Sequence, residues 1–289
     1  MITNNNLALP TERMMENRAV VRVFISFGVS NDVIIPPFSA KVSKVIMYRL
    51  SGLYRRLSGF PGPFKPVSVS PVYGSDGVAL LKFKQNGRML VLRVGEVYSF
   101  SCSMVVGESF PFDELLSLEN HVIDNVFGAS AFLKNIRVEV RRFDSFGFNK
   151  PTGIRIDFNS PTLLQLPSFK RFRRGRYIFF PIPSLMIGSL IDHWNANCDK
   201  NLFIKRPSYL ALYSNYVLME ADYRIRPVTV VYDEKRCVRG FMGWVLYDLR
   251  KCRNTKSFRR IMALLDYAQY VGVGKSRGAG FGQVSVRLL

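Results

Sequence analysis

The chain has 289 residues, 41 of them lysine or arginine against 21 aspartate or glutamate, for a net charge of +20. Hydrophobic residues make up 48%, enough for one large core or two ordinary ones, which excludes wholesale disorder. So large a positive excess attracts polyanions, so nucleic acid is the expected partner. A membrane surface is the competitor, but there is no lipidation signal, long basic amphipathic helix or apolar run of spanning length. Met1-Ile-Thr-Asn-Asn-Asn6 does not read as a secretory signal. Cys102, Cys198, Cys237 and Cys252 form no C-x-x-C pair and read as incidental free thiols, which suits a cytoplasmic protein.

Taken in order, Ala19–Phe27 is rich in β-branched and aromatic residues and predicts a strand. Pro36-Pro37 then closes the approach to a helix that starts at Phe38 or Ser39 and runs to about Leu57. On a helical wheel Val42, Ile46, Leu50, Leu53 and Leu57 form one stripe, and Lys41, Lys44, Tyr48 and Arg55 form another on the opposite side. A basic face on a surface helix is ordinarily just solvated. Two lysines in a first turn, however, oppose the helix macrodipole, and a bound anion would offset that cost.

Ser58–Pro63 is a loop, and Phe64–Ser70 alternates as a short strand with Lys65 at its mouth. Val78–Phe83 and Leu90–Phe100 add strands around the turn Gln85-Asn-Gly87. Phe112–Val126 predicts a second helix and Leu133–Phe143 a closing strand. Ser145–Gly153 reads as a linker. The second half predicts a strand at Ile154–Asn159 and a helix at Leu185–Asn197. Strands follow at Tyr213–Leu218, Arg226–Tyr232 and Gly240–Leu249, then a helix from Phe258 to Tyr270 and a strand at Val284–Val286. This order predicts an α+β fold of tandem ferredoxin-like (RRM-like, βαββαβ) domains, residues 1–148 and 149–289, with no repeated sequence.

Two basic segments interrupt the second half. Lys170-Arg-Phe-Arg-Arg-Gly-Arg176 interleaves guanidinium groups with Phe172 and Tyr177, a composition that can hold unpaired bases and phosphates. Lys170, Arg171, Arg173 and Arg174 are therefore candidate RNA contacts. Near the end, Gly272, Gly274, Gly278, Gly280 and Gly282 surround Lys275, Ser276 and Arg277, between a helix and a strand. Glycine lets a ligand approach bare N–H groups, so this loop reads either as a hairpin with solvated charges or as a phosphate cradle. Gly274-Lys275-Ser276 imitates the end of a Walker A loop, but Gln269 stands where the first glycine belongs and the order of strand and helix is reversed, which argues against an NTPase.

The glycine-rich segment resembles the C-terminal loop of the CRISPR repeat endoribonucleases of the RAMP superfamily, the sixth Cas family. The resemblance extends upstream. Arg226-Pro-Val-Thr-Val230, then Arg239-Gly-Phe-Met-Gly-Trp244, a helix, and Gly272–Gly282 follow the order of crenarchaeal members. Ser160-Pro-Thr-Leu-Leu164 resembles the strand-end motif that opens their second domain. The match is specific from about Asn159 to the end and weaker before it.

The resemblance implies cleavage of CRISPR precursor RNA within each repeat by attack of a 2′-hydroxyl on the neighbouring phosphate. The products would be a 2′,3′-cyclic phosphate and a 5′-hydroxyl, without a metal or other cofactor. Many members use a histidine with a tyrosine and a lysine near the first helix, but no histidine precedes His121 here. The crenarchaeal type without it implies lysines on the same face: Lys41, Lys44 and Lys65 as catalytic residues. Arg277 is expected as a phosphate clamp, because a guanidinium grips two phosphate oxygens at once. Arg236, Arg239, Lys275, Ser276 and Tyr48 are expected RNA contacts. Metal catalysis has little support, since carboxylates are scarce and neither His121 nor His193 has a ligand neighbour at metal spacing. His193 reads as a core-edge residue, and replacing either histidine is expected to be nearly silent. A non-catalytic RAMP-fold subunit that binds guide RNA within a CRISPR interference complex stays open, as does a homodimer. A basic RNA chaperone without a CRISPR role is opposed by the C-terminal motifs.

Overall fold

In the computed structural model, which describes residues 18–85, 89–107, 121–167 and 175–289, both halves of the chain build antiparallel sheets with equivalent strand orders. The first half contains β1 (Ala19–Val29), β2 (Val33–Ile35), α1 (Ala40–Leu50), α2 (Gly52–Ser58) and β3 (Val67–Val69). It continues with β4 (Leu90–Leu92), β5 (Tyr98–Val106), β6 (Val122–Val126) and β7 (Ala129–Arg142). Its main sheet runs β3-β5-β1-β7-β6, while β2 pairs with β4. The second half contains β8 (Gly153–Thr162), β9 (Leu164–Gln165), β10 (Tyr177–Ile178), α3 (Pro183–Asn197) and α4 (Pro207–Val217). It ends with β11 (Met219–Val231), β12 (Cys237–Asp248), α5 (Lys256–Val271) and β13 (Val284–Leu288). That sheet runs β11-β12-β8-β13, and β9 pairs with β10. In the first half β1 lies between β5 and β7 with β3 outside β5, and in the second β8 lies between β12 and β13 with β11 outside β12. This is the tandem ferredoxin-like fold.

Alternation decides which face each strand buries. Val21, Val23, Ile25 and Phe27 of β1 share a core with Val42, Ile46 and Met47 of α1. Ile154, Ile156 and Phe158 of β8 share a second core with Leu190 and Ile191 of α3 and with Ile261 and Leu265 of α5. The helices of the second half lean on the back of the first sheet. Val20 and Val105 belong to the second core, and Arg141 of β7 pairs with Asp266 of α5 at 2.9 Å.

Several elements differ from their sequence expectation. The first helix is not continuous to Leu57: Ser51 is extended, at φ −124° and ψ 119°, and its side chain caps α2 by accepting from the Tyr54 N–H. Val122–Val126, expected as the end of a helix, is a strand, because Asn125, Phe127 and Gly128 all take positive φ and close a tight hairpin onto β7; the expected helical stretch before it lies outside the described residues. Tyr213–Leu218, expected as a strand from its tyrosines and valine, falls largely within α4. Pro207 starts that helix, and Leu210, Ser214 and Val217 make a buried stripe at helical spacing. Val78–Phe83 makes only isolated bridges, and Leu90–Phe100 divides between β4 and the start of β5. Gly87 of the expected turn lies outside the described residues.

The halves are tied by an aromatic stack. Phe281, from the glycine-rich loop, lies on Phe38 at the entrance to α1, with ring centroids 4.5 Å apart and planes 19° apart. Tyr232, from the β11–β12 hairpin, packs against both rings. Phe281 and Phe38 are buried. Phe281→Ala is expected to lower the unfolding free energy by about 3–5 kcal/mol in urea denaturation. A loss under about 1 kcal/mol would show that the stack does not tie the halves together.

Candidate active site

The glycine-rich loop is laced by backbone hydrogen bonds to the motif that ends β8. Gly282 N–H donates to the Pro161 carbonyl at 3.0 Å, and Lys275 N–H donates to the Leu163 carbonyl at 3.0 Å. Gln283 N–H donates to the Ser160 hydroxyl at 2.9 Å, and Val273 N–H closes the loop on Gly282 O at 2.8 Å. Ser160–Leu164 is thus the rail on which the loop rests. From it the loop reaches the first half. A Cβ at Gly280, where φ is +98°, would lie 2.3 Å from the Ala40 Cβ at the start of α1. The Gln283 amide donates to the Ser68 hydroxyl of β3 at 2.9 Å.

This docking places the loop beside the expected lysines. Lys41 and Lys44 stand on the first turns of α1, and Lys65 leads into β3. Lys65 is exposed and donates to the Ser58 carbonyl at 2.7 Å. Lys44 is partly buried. Its burial, then the charges of Lys65 and Lys41, hold its ammonium pKa below the ordinary lysine value. Lys41 lies over the Tyr232 ring, 4.8 Å from its centroid, and Arg236 lies over the same ring at 5.1 Å. Lys275 and Ser276 are exposed on the loop, Ser276 in the left-handed region at φ +61°. Tyr48 is 55% exposed. Arg239 is exposed on β12 with its guanidinium over Phe179. Lys170, Arg171, Arg173 and Arg174 lie outside the described residues.

Arg277 departs from its expected role. It is 6% exposed, and its Nη2 donates to the Ser189 carbonyl of α3 at 2.8 Å. Burial lowers its pKa to about 10. The guanidinium is turned into the protein and braces the loop from beneath, so it does not present a fork to solvent. His193 departs further. Its Nε2 lies 3.0 Å from the Lys65 carbonyl and its Nδ1 lies 2.8 Å from the Tyr267 hydroxyl. A carbonyl only accepts, so Nε2 carries the proton and Nδ1 accepts from Tyr267. Burial, then the nearby Arg277 charge, hold the His193 pKa well below its ordinary value, so the ring is neutral. Asn197, one turn further along α3, donates to the Phe64 carbonyl at 3.4 Å. One face of α3 therefore holds the segment that carries Lys65. His121, expected in a helix, is exposed just before β6.

The family model for the Cas6 N-terminal domain matches residues 21–138, and that for the CRISPR-associated endoribonuclease Cas6 matches residues 156–284. The chain belongs to the Cas6 family. Two relatives from Saccharolobus solfataricus, CRISPR-associated endoribonucleases Cas6 1 and Cas6 2, are 27% and 26% identical to it. These matches cover 89% and 88% of this chain, and 93% and 91% of the relatives. Among solved structures, a Cas6 product complex superposes with a TM-score of 0.66 at 18% identity, over 93% of this chain and 99% of its own. Thermus thermophilus Cas6 superposes with a TM-score of 0.63 at 16% identity, over 94% of this chain and all of its own. At such identities these two structures share the fold; membership rests on the sequence matches. As a Cas6 protein the chain is an RNA endonuclease of CRISPR RNA processing.

In this Cas6, His193 is a neutral strut beneath the Lys65 backbone, far from it in sequence. His193→Ala is expected to slow single-turnover cleavage about ten- to a hundredfold while changing RNA affinity little, because a misplaced group costs rate first. His193→Gln, whose amide can still donate to the Lys65 carbonyl, should recover part of that loss. Equal rates for His193→Ala and wild type would contradict the strut. The folded pKa of His193 lies below its unfolded value of about 6.5, so the unfolded chain takes up the proton first on acidification. Stability should therefore fall as pH drops below about 6.5, and less steeply in His193→Gln.

Proposed function

We propose that this Cas6 cleaves CRISPR precursor RNA once per repeat without a metal ion, by attack of a 2′-hydroxyl on the adjacent phosphorus. The observation that carries the reading is Lys44, whose pKa is lowered by its partial burial and then by the charges of Lys65 and Lys41. A lysine so placed reaches its neutral amine form at lower pH than an isolated one and can take the 2′-hydroxyl proton. The 2′-oxygen forms its bond to phosphorus as the P–O5′ bond breaks. The exposed Lys65 ammonium, with protons to spare beyond its bond to Ser58 O, gives one to the departing O5′. Lys41, fixed over Tyr232, stabilises the extra charge of the phosphorane. The products are a 2′,3′-cyclic phosphate and a 5′-hydroxyl.

Around this centre, Lys275, Ser276, Arg236, Arg239 and Tyr48 would contact the RNA, and Arg277 would position the loop from below. The separate family matches at 21–138 and 156–284 support units at 1–148 and 149–289. A solved RAMP protein binding different RNA substrates has the same fold, with a TM-score of 0.51, which fits RNA as the partner here.

Cleavage of the cognate repeat RNA should proceed undiminished in EDTA and leave a cyclic phosphate; a strict magnesium requirement would overturn the reading. Lys41→Ala, Lys44→Ala and Lys65→Ala should each lose about 10²–10³-fold in single-turnover rate and far less in affinity. Replacing Arg171, Arg173 and Arg174 together with alanine should weaken binding and flatten its salt dependence, and an unchanged slope would remove that run from the interface.

A further inference from the structure

The break between α1 and α2 opens a cavity of about 620 Å³ next to the lysines. Lys44, Val45, Tyr48 and Arg49 line it from α1, and Arg55 and Ser58 from α2. Had α1 continued, the Tyr48 carbonyl would have taken an N–H from the next turn. Instead Arg55 Nη1 donates to it at 3.2 Å, which folds the Arg55 guanidinium back over one face of the Tyr48 ring, 5.9 Å from its centroid. The buried Tyr54 also contributes to the lining. The result is an apolar depression with an exposed aromatic ring on one wall and cationic groups around its rim.

Two links join the cavity to the lysine cluster. Lys44 belongs to both, and Ser58, on the α2 side, accepts the Lys65 ammonium through its carbonyl. A phosphate held by Lys44 and Lys65 would therefore sit at the cavity mouth. A free inorganic anion would leave the apolar wall unused, and an apolar peptide would meet three cations. A nucleotide uses both parts: phosphate at the rim, base against the ring and guanidinium planes.

We propose that this cavity is a base-binding pocket for the nucleotide next to the scissile phosphate, with Tyr48 as its stacking wall and Arg49 and Arg55 as its cationic rim. The proposal rests on the reading of the lysine cluster as the cleavage centre. It adds a determinant of where in the repeat the chain cuts, because the base that fits the pocket fixes which phosphate meets Lys44.

The test uses cognate repeat RNA blocked by a 2′-deoxy sugar at the cleaved nucleotide, so that binding is measured without reaction. Single abasic sites are placed in turn at the two nucleotides on either side of the cleaved bond. Wild type should lose about tenfold in affinity at one of these positions. Tyr48→Ala should show a similar loss on intact RNA and no further loss with the abasic site there, while Tyr48→Phe should behave as wild type. Val45→Trp, which fills the cavity, should match Tyr48→Ala, with circular dichroism confirming that both variants stay folded. If the abasic and Tyr48→Ala losses multiply at every position, or if no position is sensitive, the pocket is overturned. Wild-type cleavage of unblocked repeat in EDTA is run alongside. Its failure would overturn the metal-free reading and leave the binding result to decide the pocket.

Discussion

A Cβ at Gly282, where φ is +72°, would lie 1.9 Å from the Val273 carbonyl oxygen. That close approach of backbone to backbone is the constraint behind the rest of the site. It folds the glycine-rich loop flat enough to hydrogen-bond along Ser160–Leu164 on one side and to meet the start of α1 at Gly280 on the other. Phe281, between these two glycines, is thereby aimed at Phe38. A bulkier residue at either glycine would lift the loop, and with it the ring that joins the two ferredoxin-like units.

The docking has an electrostatic consequence. The N-terminal end of α1 has no acidic residue in its first turn and carries Lys41 there and Lys44 just beyond it, against its own macrodipole. Among the described residues, the ion pairs all involve arginine, and none involves Lys41, Lys44 or Lys65. The repulsion within the cluster is held in place by neutral contacts: the Tyr232 ring under Lys41, the Ser58 carbonyl at Lys65, and the neutral His193 beneath the Lys65 backbone. Arg277 and His193 are both buried in the layer behind, where the guanidinium helps keep the imidazole uncharged. A bound anion would relieve the repulsion at the surface.

β1, β8, α3 and α5 were legible because their burial follows simple periods: two in the strands, and three or four in the helices. That Lys41 and Lys44 share a face of α1 was legible from the helical wheel, while Lys65 joined them only through the family resemblance. What escaped was set by contacts distant in sequence. Nothing near His193 announces that its ring reaches the Lys65 carbonyl, and a guanidinium in a glycine loop gives no sign that it turns inward to Ser189. The break after Leu50 did have a signal, since Ser51-Gly52 is a turn-favouring pair and serine a good cap, but the apolar stripe running on to Leu57 outweighed it. In α4 the aromatic content suggested a strand, while Pro207 and the spacing of Leu210, Ser214 and Val217 carried the helix.

The docked loop, α1 and the Lys65 segment bring three lysines together, and Lys44 is the one whose amine is perturbed. The most direct test of that perturbation is an NMR titration of isotopically labelled lysine side chains in the RNA-free protein, with Lys44 assigned by its loss in Lys44→Arg. Lys44 should titrate below the other lysines, and its pKa should rise toward the ordinary value in Lys41→Gln and Lys65→Gln. A Lys44 that titrates with the surface lysines, or that ignores both replacements, would contradict it.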